Sequence, residues 1–138
     1  MRVWVDDVRG LLGLVDMDIV ELHPWGSTVD DIEHPDLLVF DLDPGPGVEW
    51  HFVTDTALGL RKALQADGYE PWVKTSGGKG LHVVVPLPER KWDWAKVRVW
   101  TKRFAEKFAE RDPRYTASST ADRDGRLFID YLRYGRGN

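Results

Sequence analysis

The hydrophobic pattern changes period at residues 44–47, which read Pro-Gly-Pro-Gly. Residues 36–43, just before this break, are mostly apolar and have the length of a buried strand. After the break, apolar residues recur at intervals of three and four, the spacing that places side chains on one face of a helix. They are Val53, Ala57, Leu60 and Leu64. Because proline and glycine interrupt regular structure, the break predicts a strand that ends before it and a helix that begins after it.

Three further strands and a second long helix are predicted in the rest of the chain. The strands lie over residues 69–75, 81–85 and 126–132. Asp93 can cap the helix at its start, and Pro113 stops it. Its inward stripe is predicted to contain Trp94, Val97, Thr101, Phe104 and Phe108. The resulting order, β-α-β-β-α-β, predicts an α+β fold of the ferredoxin-like or RRM-like type, in which two helices cover one face of a four-stranded antiparallel sheet.

A short helix over residues 6–15 and a strand over residues 19–23 are predicted to precede this unit. The 138 residues, of which 42% are hydrophobic, suit one compact domain over residues 1–138. No apolar run is long enough to span a membrane and no secretory signal begins the chain, so we expect a cytoplasmic protein without membrane association. The absence of cysteine excludes thiolate metal sites and thiol nucleophiles, so any metal must be bound by oxygen or imidazole.

The net charge of −4 conceals two oppositely charged halves. Residues 1–70 carry 15 acidic and 4 basic side chains, whereas residues 71–138 carry 8 acidic and 15 basic ones. An acidic half and a basic half together suit a phosphate-bearing ligand that is accompanied by metal ions. Two ordinary solvated faces that partly neutralise each other explain the same composition, so the charge alone does not decide the function.

Alternation along the predicted strands brings polar side chains to one face of the sheet. Asp41 and Asp43 point to the same side of the first strand, away from its apolar residues. In the usual strand order of this fold, 4-1-3-2, the first strand lies between the third and the fourth. Asp130 on the fourth strand and His82 on the third have the parity needed to join the aspartate pair. The sequence therefore predicts three carboxylates and one imidazole on the face that the helices leave uncovered.

Three clustered carboxylates repel one another unless a cation neutralises them. Mg²⁺ and Mn²⁺ are the expected occupants, because both prefer carboxylate and phosphate oxygen, and a two-metal site can hold a triphosphate and stabilise the attacking and leaving oxygens. Each residue taken alone has an ordinary explanation. An Asp-x-Asp pair at a strand end is commonly turn chemistry, a strand histidine is commonly structural, and Asp130 can pair with Arg126 or Arg133. Their shared parity favours the functional interpretation.

The turn between the second and third strands, residues 76–80, contains a hydroxyl, glycine amides and a lysine. Glycine permits positive φ and close approach of a ligand, so such a turn can hold a phosphate group. It is not a Walker A loop, because its glycine spacing differs and Gly80 stands where that motif has Ser or Thr. A glycine-rich hairpin turn without a ligand is the alternative.

Four motifs together resemble the polymerase domain of bacterial DNA ligase D, a member of the archaeo-eukaryotic primase superfamily. They are residues 21–27 (ELHPWGS), 40–47 (FDLDPGPG), 74–82 (KTSGGKGLH) and 128–133 (FIDYLR). The resemblance extends over nearly the whole chain. It implies a catalytic core on an RRM-like unit, with metal-dependent nucleotidyl transfer as its chemistry.

The resemblance also implies roles for individual residues. Asp41 and Asp43 would bind both metals, Mn²⁺ or Mg²⁺, and Asp130 the catalytic one. The residues that would bind the nucleotide are His23, Ser76, Gly77, Gly78, Lys79, His82 and Arg133. The primer 3′-hydroxyl would attack the α-phosphate without a protein nucleophile. The implied partners are nucleoside triphosphates, preferably ribonucleotides, DNA primer-templates or DNA ends, and the ligase and end-binding proteins of end-joining repair.

Compared with that family, the chain lacks basic segments that precede and follow the core and grip DNA phosphates. We therefore expect DNA to be held weakly. One alternative is a non-catalytic module that retains the nucleotide or nucleic-acid pocket without turnover. A second alternative is a phosphatase of the haloacid dehalogenase type, because residues 37–43 also resemble the nucleophile strand of that family. That family, however, requires a long parallel α/β sheet, and in this chain Pro44 and Gly45 follow the second aspartate.

Overall fold

A five-stranded sheet organises the protein in the computed structural model, which describes residues 4–20, 22, 24–89 and 91–132. The elements in chain order are α1 (Val8–Asp16), β1 (Leu37–Pro44), α2 (Trp50–Ala66), β2 (Trp72–Thr75), β3 (Leu81–Pro86), α3 (Trp94–Ala109), β4 (Tyr115–Thr116) and β5 (Leu127–Asp130). The predicted order of strands and long helices is therefore confirmed. The α+β fold class is confirmed with it.

The strands lie in the order β2-β3-β1-β5-β4. β1 pairs antiparallel with both β3 and β5, so the first core strand lies between the third and the last, as predicted. These antiparallel neighbours exclude the phosphatase alternative, which requires a parallel sheet. β4 adds a strand parallel to β5 that the sequence did not predict. Two residues carry no readable alternation, so a pairing this short leaves no signal in the pattern.

Both long helices cover the same face of the sheet and form the core with it. Phe40 and Leu42 on β1 are fully buried there, against Leu60 of α2 and Phe108 of α3. Fully burying a side chain of this kind stabilises the fold by about 1.5–3 kcal/mol, so this face supplies most of the hydrophobic stabilisation. Among the helices in the described ranges, none is both long and apolar enough to cross a membrane.

The predicted cap of α3 is present, because Asp93 Oδ1 accepts a hydrogen bond of 2.8 Å from the Lys96 amide. The predicted inward stripe needs one correction. Trp94 lies outside the core cluster, and its indole Nε1 donates to the Ile32 carbonyl at 2.8 Å. Trp94 stands in the first turn of α3, where its indole reaches the loop before β1 instead of the sheet. Ala105, which the stripe omitted, is fully buried in the core.

The N-terminal extension contains the predicted helix but not the predicted strand. α1 begins after Asp7, whose side chain accepts from the Gly10 amide at 3.0 Å. Of the predicted strand 19–23, the described residues Ile19, Val20 and Leu22 have no strand pairing. The Ile19 amide instead donates to the Leu14 carbonyl and closes the end of α1. This bond uses the backbone group that a strand partner would have needed.

Candidate active site

Four polar side chains form a row across the sheet on the face opposite the helices. The register pairs Lys74 with His82, His82 with Asp41, and Asp41 with Asp130. Residues directly opposite one another in antiparallel strands share a face and have Cβ atoms about 4.5–5.5 Å apart. The structure thus brings together Asp41, His82 and Asp130, which the sequence predicted to be neighbours, and adds Lys74 at the end of the row.

Asp41 and His82 occupy the middle of this row and are buried, with 5% and 4% of their surface exposed. The His82 Nε2 and Asp41 Oδ1 atoms are 3.5 Å apart. Burial of a carboxylate is costly unless polar partners compensate for the lost water. The His82 imidazole is a polar neighbour of the buried Asp41 carboxylate at this distance.

The turn 76–80 is held close to this pair by Gly80. A Cβ atom at Gly80 would lie 2.2 Å from the Leu42 carbonyl oxygen and 3.6 Å from Asp41 Oδ1, so only glycine allows this approach. The Ser76 hydroxyl donates to the Gly80 carbonyl at 3.2 Å, and Gly77 has φ +84°. Gly80 therefore brings this end of the turn beside the buried carboxylate.

A cavity of about 470 Å³ opens between this turn and the end of β1. The turn contributes Gly78 and Lys79, the segment after β1 contributes residues 44–48, and Trp50 and Val53 of α2 complete the wall. Lys79 therefore brings a positive charge to the wall of this cavity. Of the predicted nucleotide residues, Gly78 and Lys79 line this cavity, and Ser76 and Gly77 stand in the same turn. His23 and Arg133 lie outside the described residues.

Asp43 lies two residues beyond Asp41 on the same face, but it is exposed and contacts a partner that no sequence pattern indicates. Its Oδ2 accepts a hydrogen bond of 2.7 Å from Arg123 Nη1. The Arg123 guanidinium also lies 4.2 Å above the centre of the Phe128 ring, and Phe128 is opposite Asp43 in the register. No motif or periodicity marked Arg123, because it stands in an irregular turn.

The turn that carries Arg123 is fastened to the loop after β1. The Gly45 amide donates to the Arg126 carbonyl at 2.9 Å, and the Gly125 amide donates to the Pro46 carbonyl at 2.8 Å. A Cβ atom at Gly45 would lie 1.8 Å from the Arg123 carbonyl oxygen, so this contact requires glycine at position 45. The backbone therefore fixes Arg123 beside Asp43.

The carboxylates of Asp41, Asp43 and Asp130 have the chemistry that hard divalent ions prefer. Their present orientations differ, because Asp43 accepts from Arg123 and Asp130 Oδ1 accepts from the Leu132 amide at 2.8 Å. In the described part of the chain, acidic and histidine side chains do not converge as a set of three or more ready to hold a metal. The donor types fit Mg²⁺ or Mn²⁺, and Asp43 would have to exchange its guanidinium for the ion.

An RRM-like sheet with aspartates on its helix-free face, beside a glycine-lysine turn, defines a candidate nucleotidyl-transfer core. Residues 1–138 match the family described as LigD, primase-polymerase domain. The chain is 36% identical over 135 residues to the multifunctional non-homologous end joining protein LigD of Pseudomonas aeruginosa, covering 96% of this chain and 16% of that protein. It is 27% identical over 134 residues to the bifunctional protein LigD of Bacillus subtilis, covering 96% and 22%.

A solved structure, the polymerase domain from Mycobacterium tuberculosis ligase D in complex with DNA, superposes with a TM-score of 0.71 at 33% identity. The alignment covers 76% of this chain and 37% of that one. The chain therefore belongs to the LigD primase-polymerase domain family. It spans less than a quarter of the length of these curated relatives.

Proposed function

We propose that this chain is a metal-dependent nucleotidyltransferase core that adds nucleotides to a DNA 3′-hydroxyl in end-joining repair. The observation that carries the proposal is the row of Asp41, His82 and Asp130 beside the turn 76–80. The names of its relatives, which describe end-joining proteins, and the DNA bound to the similar polymerase domain support the same chemistry.

In this proposal Asp41, Asp43 and Asp130 would hold Mn²⁺ or Mg²⁺. When bound, such ions supply electrophilic stabilisation of the phosphate and activation of the 3′-hydroxyl. His82, 3.5 Å from the buried Asp41 carboxylate, would contact the triphosphate, as the family resemblance implies. Lys79, the Ser76 hydroxyl and the glycine amides neutralise and orient the triphosphate, which pre-organises the α-phosphate for attack.

We extend the proposal, on the family resemblance, to ribonucleoside triphosphates as substrates and Mn²⁺ as the preferred ion. His23 and Arg133 would add contacts to the incoming nucleotide. DNA ends or primer-templates would be the second substrate, and the ligase and end-binding repair proteins would be partners. The chain carries a net charge of −4, so we expect DNA to be held weakly.

A non-catalytic module that binds nucleotide or nucleic acid is the second candidate. One observation favours it: Arg123 occupies an oxygen of Asp43, which the catalytic proposal assigns to metal. An arginine that stayed there permanently would leave a phosphate pocket without a complete metal site.

A primer-extension assay separates the two candidates. With Mn²⁺, a primed template and each class of nucleoside triphosphate, the protein is expected to extend the primer, and Asp41→Asn and Asp130→Asn are expected to abolish extension. Asp55→Asn, which removes an exposed carboxylate on α2, is the matched control and should extend normally. Nucleotide binding without extension by the unmodified protein would contradict the catalytic proposal and favour the module.

A further inference from the structure

The edge strand β2 presents a tryptophan and a lysine on the face of the sheet that carries the aspartates. In the register, Trp72 is opposite Val84 and Lys74 is opposite His82. Val83 and Val85 of β3 belong to the core under the helices, so His82 and Val84 point to the other face. Because opposite residues share a face, Trp72 and Lys74 lie on the same side as Asp41.

The exposure of Trp72 differs from that of the tryptophans that stabilise the fold. Trp92 and Trp100 pack their rings together with centres 5.7 Å apart and rest on the core. Trp72 leaves 47% of its surface exposed, and all four residues of β2 are exposed. A large aromatic surface left in water beside a polar site is a feature of ligand-binding faces.

Lys74 and Trp72 lie at different distances from the turn 76–80. β2 runs from Trp72 through Lys74 into the turn 76–80, so Lys74 stands in the polar row and Trp72 lies on the side away from the turn. Two residues along a strand are about 7 Å apart, a separation comparable to one nucleotide. A ligand that stacks on Trp72 and pairs with Lys74 therefore needs a base and a phosphate about one nucleotide apart.

We propose that Trp72 and Lys74 form a contact site for single-stranded DNA, in which a base stacks on the indole and a neighbouring phosphate pairs with the lysine. Sheet faces and grooves that bind single strands combine these two elements, because every base has a face that can stack. Duplex DNA fits less well, since its base faces are already stacked. The inference rests on the proposed function, as it adds the strand that leads to the aspartates.

The test is the affinity for a fluorescein-labelled thymidine octanucleotide, measured by anisotropy without metal or nucleotide. Trp72→Ala should weaken binding about 5- to 150-fold, the range that corresponds to ~1–3 kcal/mol for base stacking. Trp72→Phe should retain most of the affinity, and Trp72→Leu, which keeps an apolar side chain without a ring, should lose it. Trp4→Ala removes another exposed tryptophan and should bind like the unmodified protein.

The lysine is tested by the salt dependence of the same affinity. Lys74→Gln should reduce the slope of log K against log salt by about 0.7, the contribution of one phosphate contact on a single strand. Lys62→Gln, which removes an exposed lysine on α2, should leave the slope unchanged.

Unchanged octanucleotide binding in both Trp72→Ala and Trp72→Leu would overturn the inference, as would an equal loss of affinity for a duplex of the same length. Thermal melting of each variant shows whether it is folded. If Trp72→Ala does not fold, the octanucleotide affinities of Trp72→Phe and Trp72→Leu are compared instead. Single-strand binding that depends on Trp72, without primer extension, would contradict the proposed function alone. Primer extension together with octanucleotide binding that does not depend on Trp72 would contradict this inference alone.

Discussion

Both faces of the sheet are buried at their centres, but apolar side chains form one face and polar side chains lie on the other. On the helix side, Phe40, Val83 and Ile129 are fully buried among apolar side chains. On the other side, the same three strands place Asp41, His82 and Asp130. An apolar residue would stabilise those positions at lower cost than a carboxylate or an imidazole. The comparison indicates that one face holds the fold together, whereas the other carries polar side chains that fold stability alone does not explain.

The largest expected difference between the faces is in stability. Leu42→Ala should lower the free energy of unfolding by about 2–5 kcal/mol, because Leu42 is fully buried and its removal leaves a cavity. Asp43→Asn, one residue away on the other face, should change it by less than about 1 kcal/mol, since an exposed ion pair contributes little. Urea denaturation measures both. Similar losses in the two variants would erase the distinction between the faces.

A glycine pair tests how closely the turn 76–80 approaches the polar face. Gly80→Ala places a Cβ atom 2.2 Å from a backbone oxygen, so we expect a loss of about 1–3 kcal/mol or more from overpacking. Gly78→Ala meets only the Ser76 hydroxyl at 3.9 Å and should stay within about 0.5 kcal/mol. Equal melting temperatures for the two variants would mean that the turn does not rest on β1.

Removal of Arg123 should free Asp43 for a cation. Arg123→Gln is expected to strengthen Mn²⁺ binding by up to about 5-fold, the equivalent of ~1 kcal/mol for a partly exposed ion pair. Arg126→Gln removes the same charge from the same turn and is the control. Electron paramagnetic resonance of free Mn²⁺ gives the affinities. Weaker binding in Arg123→Gln than in Arg126→Gln would show that the arginine supports the metal site.

The smallest effect lies away from both faces, in the turn between α3 and β4. Hydrogen bonds from Arg114 lower the pKa of Asp112 to about 2, from an ordinary value of 3.8. Because the folded pKa is depressed, the stabilisation is present above pH 3.8 and is lost as the pH falls toward 2. An NMR titration of the Asp112 carboxyl should give the low pKa, and Arg114→Gln should raise it. A pKa near 3.8 in the unmodified protein would contradict this pair.

The sequence predicted the parts of the molecule that depend on periodicity. Alternation placed Asp41 and Asp43 away from the core face, and the strand order then brought His82 and Asp130 beside Asp41. These predictions succeed because a buried face fixes the register of a strand. The roles of those residues in metal and nucleotide binding stay predictions.

The parts that the sequence did not predict depend on single contacts in irregular segments. Arg123 reaches Asp43 because two backbone hydrogen bonds fasten its turn, and no local pattern encodes that meeting. The strand predicted over residues 19–23 was wrong in its described residues, because the end of α1 takes the Ile19 amide. β4 was missed because two residues are too few to show alternation.

The response of the melting temperature to Mn²⁺ tests most directly whether the helix-free face is a metal-dependent site. At 100 times the dissociation constant, Mn²⁺ should add about 2.7 kcal/mol to the stability, which raises the melting temperature by roughly 10 °C. We expect this rise in the unmodified protein and in Asp55→Asn, and its loss in Asp41→Asn and Asp130→Asn. A melting temperature that does not change with Mn²⁺, or a full rise that persists in Asp41→Asn, would contradict a metal site on this face.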